Sequence, residues 1–330
     1  MVCVGIDLGG TNIAAGVVND AYQILAKASL PARAPRPAAD ICADMAKATR
    51  MALHEAGVSE ESVSWIGIGS PGVANPLLGE VEFSNNLDFH HAPVCALMER
   101  MTGKRVFLEN DANAAAYGEM LAGAARGTRD SITVTLGTGV GGGVVLGGKL
   151  FSGSNFAGAE LGHTVLVKDG EPCSCGRLGC WEAYASATAL VRQTRRAMEE
   201  HPESAMWRLT SGDLSKVNGK TAFDAMREGD SAGRKVVDTY IGYVASGATN
   251  IVNIFQPEVL CIGGGISKEG ETLLAPLRKI VERERYSRYS EKQTRICAAQ
   301  LGNDAGIIGA AFLGNQSSET PERSSADGAV

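Results

Sequence analysis

The chain opens on an apolar run, Val2 to Ile6, interrupted by Asp7-Leu-Gly-Gly-Thr-Asn12 and followed by a second run, Ile13 to Val18. Two runs of strand length around a glycine turn predict a β-hairpin. A third run, Gln23 to Ser29, extends the sheet. The Pro-rich stretch at 31–37 then separates it from residues 39–56, where Ile41, Met45, Ala48 and Ala52 recur at helical spacing. Trp65 to Gly69 reads as a buried strand ending in Ser70-Pro-Gly72, and Phe83 to Phe89 as a polar loop with amide side chains suited to hydroxyls. A short strand from Arg105 runs into the alanine-rich helix that follows Asn113. Ser131 to Leu136 is a strand, Gly137-Thr-Gly-Val-Gly-Gly-Gly143 a glycine loop, and Val144 to Leu146 a further apolar run, repeating the opening pattern.

Beyond a cysteine-rich stretch, residues 183–200 carry a helical pattern and 201–220 form a polar excursion with little chemical signal. Ser231 to Phe255 is a long helix ending before Pro257. The buried strand Val259 to Ile262 runs straight into Gly263-Gly-Gly-Ile-Ser267. A helix at 270–285, a strand at 294–299 and a closing helix from Ala305 to Phe312 complete the pattern, and the polar tail from Asn315 is expected to be disordered. The class is α/β, and the repeated hairpin suggests two halves of related architecture, each presenting a backbone loop to one polyphosphate. A dinucleotide-binding fingerprint is disfavoured because it places its glycines at the opening of a helix.

With 330 residues the chain is long enough for two domains with substantial cores. A formal charge of -6 and a pI near 5.5 argue against a nucleic-acid or anionic-membrane surface. No apolar run approaches the ~20 residues that cross a bilayer, and the N-terminus lacks the basic region and apolar core of a signal peptide. Cys3, Cys42, Cys95, Cys261 and Cys297 are scattered without the spacing of a disulfide framework, as suits a reducing cytoplasm.

The remaining three cysteines carry the sharpest signal. Cys173, Cys175 and Cys180 form C-x-C-x4-C with His163 ten residues upstream, and Cys3His is a ligand set of structural zinc. Four protein ligands close the coordination sphere, so the metal is expected to brace a loop and not to activate a water. Gly176 and Gly179 suit the sharp turns this needs. Elsewhere the residues leave alternatives open. Gly9, Gly10 and Thr11 suit a phosphate loop or a tight hairpin turn, with Asp7 placed to hold magnesium through water. Asp111, at a strand-to-helix junction, suits a helix cap or a general base. The turn at Gly72 is a ligand-side turn or a connection. Three glycines at 263–265 admit a flat aromatic ring against the backbone.

Taken together, DLGGTN, ENDANAAAYGE, LGTGVGGG, ELGH, CSCGRLGCWE and IGGG occur in an order that resembles the ROK-family sugar kinases of the glucokinase type, in the actin-like ATPase superfamily. The resemblance covers residue 2 to about 313. It implies a two-domain actin-like (ribonuclease H-like) fold with the sugar in a cleft between the domains, the smaller domain formed by 1–109 and about 300–314, the larger by 110–299, and 315–330 left as tail. Asp111 matches the family's catalytic base. Asn110, Glu160, His163 and Glu182 match contacts to sugar hydroxyls, with Asn86 and Gly72 as further candidates. Asp7, Gly9, Gly10, Thr11, Asn12, Gly137, Thr138 and Gly139 match the phosphate side, and Gly263, Gly264 and Gly265 the adenosine loop. The activity implied is ATP- and Mg²⁺-dependent transfer to the 6-hydroxyl of a hexose, glucose first, with fructose, mannose, N-acetylglucosamine and N-acetylmannosamine as alternative acceptors, by a cytoplasmic homodimer with a structural Zn²⁺ and no nucleic-acid or membrane partner. The family also holds sugar-responsive repressors with an added N-terminal DNA-binding domain. Because this sequence starts directly on its first strand, with Asp111 and the glycine loops intact, an enzyme is expected.

Overall fold

A computed structural model describes residues 1–316 of the chain. Of the tail expected to be disordered, Asn315 and Gln316 close a short 3-10 turn, Leu313–Gln316; the rest lies outside the described residues. The chain divides into two compact units, Met1–Asp111 with the described residues from Ile307 to Gln316, and Ala112–Gly306. Both divisions fall inside helices, one at Asp111 and one within the closing helix, a few residues beyond the boundaries near 109 and 300 that the resemblance implies.

In the first unit the elements are β1 (Val2–Leu8), β2 (Asn12–Asn19), β3 (Ile24–Pro31), α1 (Ala38–Ala56), β4 (Val63–Ser70), β5 (Val73–Asn75), β6 (Glu80–Ser84), β7 (Phe89–Ala92), α2 (Val94–Thr102) and β8 (Val106–Asn110). Five strands pair in the order β3-β2-β1-β4-β8. The β1–β2–β3 meander is antiparallel, while β4 and β8 join β1 in parallel. Successive side chains of a strand face opposite ways. Val4, Ile6 and Leu8 accordingly pack with Ile41, Met45 and Ala48 of α1, all of them fully buried. On the opposite face the segment from Ile307 to Ala311 passes over Gly5 and Gly67, where a Cβ would overlap the backbone oxygens of Ile307 and Ala310. Trp65 Nε1 fixes that approach by donating to Ala311 O at 2.8 Å.

The polar loop expected at Phe83 to Phe89 is narrower: Phe83 and Ser84 end β6 and Phe89 opens β7 of a small antiparallel sheet, β5-β6-β7. Ser84, Leu87 and Phe89 are buried, and only the turn at 85–88 is loop. Its apolar positions are interrupted by two asparagines, which masked the alternation.

The second unit holds α3 (Asp111–Ala122) from its second residue on, β9 (Ser131–Leu136), β10 (Val140–Leu146), β11 (Lys149–Leu150), α4 (Glu182–Ala185), α5 (Ala187–Glu200), α6 (Ala205–Leu209), α7 (Thr221–Arg227), α8 (Ser231–Phe255), β12 (Val259–Gly263), α9 (Glu271–Glu284), β13 (Arg295–Ala298) and the start of α10 (Asp304–Ala311). Its sheet, β11-β10-β9-β12-β13, repeats the first: an antiparallel meander with two parallel strands added on the other side. The α8 helix is capped by Asp230, whose carboxylate accepts from Gly233 N at 2.6 Å. Its Tyr240, Val244 and Ala248 pack with Ile132, Val134 and Leu136 of β9 and with Leu273 and Leu277 of α9.

One expectation is corrected in this unit. Glycines 141–143 belong to β10, not to a loop, and only 137–139 form the turn. Side chains on them would overlap Thr135, Leu161 and the start of α3, so they are small because neighbours crowd the strand. The polar excursion at 201–220 contains α6, whose Met206 is fully buried, and whose Ala205 N–H donates to Asp230 at 2.8 Å.

Candidate active site

In the first unit, the parallel strands β1, β4 and β8 end side by side. The register pairs Asp7 with Gly69 and Ser70 with Asn110, so one sheet edge receives Asp7, the turn at Gly72, Asn110 and Asp111. Carboxyl ends of parallel strands are where α/β sheets gather ligand-binding loops. Asn110 Nδ2 donates to Gly72 O at 3.1 Å. The mostly buried Asp7 carboxyl is pushed up to about 6, first by burial and then by the charge of Asp111 beside it. Two carboxylates at such range favour a shared cation, and oxygen donors of this kind suit magnesium held through water.

The β1–β2 turn closes when Gly9 N–H donates to Asn12 O at 2.8 Å, while Thr11 O accepts from Ala32 N at 2.9 Å. Asn86, exposed in the β6–β7 turn, stands beside this loop: a Cβ on Gly10 would lie 3.3 Å from that of Asn86. Asn12 itself opens β2, and its side-chain oxygen accepts from Ser29 Oγ at 2.8 Å. Its side chain is thus engaged with β3.

In the second unit, the matching turn is Gly137–Gly139, closed by Gly137 N–H to Gly139 O at 3.0 Å. Gly264 holds a φ of +83° at the end of β12, where any Cβ would overlap the carbonyl oxygen of Leu136. The two glycine loops, 137–139 and 263–265, therefore lie together at the ends of β9 and β12. Glu182 Oε2 accepts the Val140 N–H at 3.0 Å and Oε1 accepts Ser174 Oγ at 3.1 Å. A carboxylate offers about four lone-pair directions, so further donors can still be accommodated.

The cysteine loop forms a preorganised cage. One ligand atom from each of His163, Cys173, Cys175 and Cys180 lies within 4.8 Å of all the others. His163 Nδ1 is 3.6 Å from Cys173 Sγ, and Cys175 Sγ is 3.6 Å from Cys180 Sγ. Ligands about 2.0–2.3 Å from a central zinc, at tetrahedral angles, stand at about this mutual spacing. The thiol chemistry agrees: burial first, and then the two neighbouring thiols, push Cys180 up to about 12. Three thiolates packed so closely need a cation. The residues present therefore fit Zn²⁺.

The cage is built from backbone turns. Cys173 N donates to Arg177 O at 2.9 Å, Gly176 N to Cys173 O at 3.0 Å, and Gly179 N to Glu171 O at 2.8 Å. Gly179, at φ +80°, sits where a Cβ would overlap Val167 O. The far end is anchored by Trp181, which is 1% exposed, stacks on α8 over Gly247 and donates Nε1–H to Tyr243 O at 2.9 Å. Truncating so buried an indole costs about 3–5 kcal/mol. Glu160 is exposed just upstream, its carbonyl accepting from His163 N at 3.0 Å.

Two residues near these loops went unassigned in the sequence. Glu119, 1% exposed in α3, accepts from Ala124 N, Gln300 N and Leu301 N. Thr188, on α5, donates its hydroxyl to Thr138 O at 2.8 Å. Neither has a local signature, because Gln300 and Leu301 for Glu119, and Thr138 for Thr188, lie far away along the chain.

The model of the ROK family matches residues 3–317. The chain is 40% identical to a glucokinase of Thermotoga maritima over 94% of its length and 96% of that protein's. It is 38% identical to a glucokinase of Streptomyces coelicolor, covering 95% and 97%. Among solved structures it is similar to a ROK-family glucokinase from Streptomyces griseus in complex with glucose and AMPPNP, with a TM-score of 0.78, 37% identity, and coverage of 95% and 99%. The family model and these similarities span almost the whole chain, and with them the two-domain actin-like fold: the chain belongs to the ROK family.

Proposed function

We propose that this protein is an ATP-dependent sugar kinase that transfers the γ-phosphoryl group of ATP to the 6-hydroxyl of a hexose, with glucose as the first acceptor. The observation that carries the reading is the sheet edge where Asp7, Asn110 and Asp111 converge, taken with the similarity to glucokinases over almost the whole chain.

Asp111 accepts the proton of the 6-hydroxyl as that oxygen bonds to the γ-phosphorus and the bond to the ADP oxygen breaks. A hydroxyl is a poor nucleophile at neutral pH, and a carboxylate at the reacting oxygen removes that obstacle. Asn110, Asn86 and the Gly72 backbone, with Glu160, His163 and Glu182, bind the other hydroxyls. The N–H groups of the two glycine turns, at Gly10–Thr11 and at Thr138–Gly139, donate to phosphate oxygens, and the turn at 263–265 admits the adenosine. Mg²⁺, when bound near Asp7, neutralises charge on the transferring phosphates. His163, Cys173, Cys175 and Cys180 hold Zn²⁺, which keeps the loop rigid; Nδ1 faces the thiols, leaving Nε2 to donate to a hydroxyl.

We place this activity in the cytoplasm, at the entry of glucose into glycolysis, in a homodimer. The dispersed free cysteines support that setting, and no helix among the described residues is long and apolar enough to cross a membrane. A coupled assay of ADP release with and without glucose tests the reading. Glucose-dependent release is expected; sugar binding with none would point to a sugar-responsive regulator instead, and release with N-acetylmannosamine but not glucose to a different acceptor.

A further inference from the structure

The turn Gly137–Gly139 is short, and each of its carbonyls is occupied. Gly139 O accepts from Gly137 N at 3.0 Å and Gly137 O from Ala187 N at 2.8 Å. Thr138 O accepts from Thr188 Oγ1 at 2.8 Å. Ala187 and Thr188 are the first two residues of α5, a 14-residue helix capped by Ser186, whose side chain accepts from Ala189 N at 3.1 Å. The exit of the turn is pinned as well, since Glu182 Oε2 takes the Val140 N–H at 3.0 Å. Two N–H groups remain: among the described residues, those of Thr138 and Gly139 have no internal acceptor. A backbone segment whose carbonyls all point into protein presents its N–H groups outward, which is the requirement for an anion-binding turn.

We propose that Thr188 is a positioning residue for phosphoryl transfer, a latch that holds the Thr138 carbonyl inward so that the Gly139 N–H of the same peptide plane faces the nucleotide phosphates beside the Thr138 N–H, whose own peptide is held through Gly137 O by Ala187 N. This rests on the kinase reading above. The other two carbonyl contacts are backbone bonds that any sequence could make, so Thr188 is where side-chain chemistry enters. Without its hydroxyl the Thr138 peptide can rotate, and an inward N–H with an outward carbonyl repels phosphate. The matching turn of the first unit is held differently, with Thr11 O accepting from the backbone N–H of Ala32 at 2.9 Å. Only the second turn depends on a side chain for this bond.

The experiment compares wild type, Thr188→Val and Thr188→Ser, using calorimetric binding of Mg·ATP, KM for ATP and for glucose, kcat, and thermal melting. Val keeps the shape and removes the donor. For Thr188→Val a threefold to tenfold weaker Kd and KM for ATP is expected, the fold-change that about 0.7–1.4 kcal/mol produces and of the size of one hydrogen bond. KM for glucose should stay within a factor of two, and melting within about 2 °C. Thr188→Ser, which restores the donor, should return ATP affinity to near wild type. Unchanged ATP affinity in Thr188→Val, in a wild type that phosphorylates glucose, overturns the latch and leaves the kinase reading standing. So does equal weakening for ATP and glucose, or a failure of serine to rescue. A wild type that binds no Mg·ATP overturns both.

Discussion

Replacing Glu119 by Gln tests whether a buried carboxylate organises the second unit. The side chain is 1% exposed. Its Oε2 accepts from Ala124 N at 2.8 Å, its Oε1 from Leu301 N at 2.8 Å, and Gln300 N is shared between them at 3.0 and 3.1 Å. These bonds tie the end of α3 to the chain leaving β13. Glutamine is nearly isosteric, but one of its two terminal atoms is an NH₂, so either Ala124 N or Leu301 N must face a donor. One buried N–H left without an acceptor costs about 1–3 kcal/mol, and the bonds that survive fall from charge-assisted to neutral strength, a further ~1 kcal/mol. The sum is about 3 kcal/mol. For a unit of this size each kcal/mol moves the melting temperature by about 2–4 °C, so a drop of roughly 6–12 °C is expected in calorimetry. A loss under about 2 °C would mean that the carboxylate is not what holds Gln300 and Leu301. A Glu119→Asp variant, too short to span both sides, should fall at least as far.

Three further outcomes follow from the site. Asp111→Asn should lower kcat in the coupled assay by about 10²–10⁴-fold with Mg·ATP affinity nearly kept; near-native turnover would remove Asp111 from the base role. Purified protein should carry one zinc per chain by mass spectrometry, and Cys175→Ser should lose it, raising KM for glucose and lowering the melting temperature; unchanged metal content and sugar affinity would refute the bracing role. Asp7→Asn should stabilise the ligand-free protein. The folded carboxyl, raised to about 6, keeps a proton that the unfolded chain releases from about 4 upward, so wild-type stability falls as pH rises through that window and then levels off. The variant should gain about 3 kcal/mol at pH 7.5 and little at pH 4.5, while losing turnover; an equal gain at both pH values would show that charge burial is not the cause.

The order of elements was legible because most of them are apolar runs of the right length between glycine and proline stops. Residues 39–56 and Ser231–Phe255 carry the helical period, and the β1 and β9 runs are buried on both faces. The sequence likewise determined the cage, since three cysteines and a histidine so close together have few other uses, and the structure brings one ligand atom of each within reach of a single ion. It exposed the doubling of the architecture through two hairpins of like pattern.

What only tertiary structure decided is partnership across distance. Whether glycines 141–143 were loop or strand depended on Leu161 and α3 crowding β10, neighbours that no local pattern reveals. Phe83 and Phe89 became strand residues because β5 and β7 were there to pair with β6. Glu119 and Thr188 look like ordinary helix residues until Gln300 and Thr138 arrive beside them. Local periodicity records which face of an element is buried; which backbone group a side chain meets on that face is fixed only when distant strands and helices pack together.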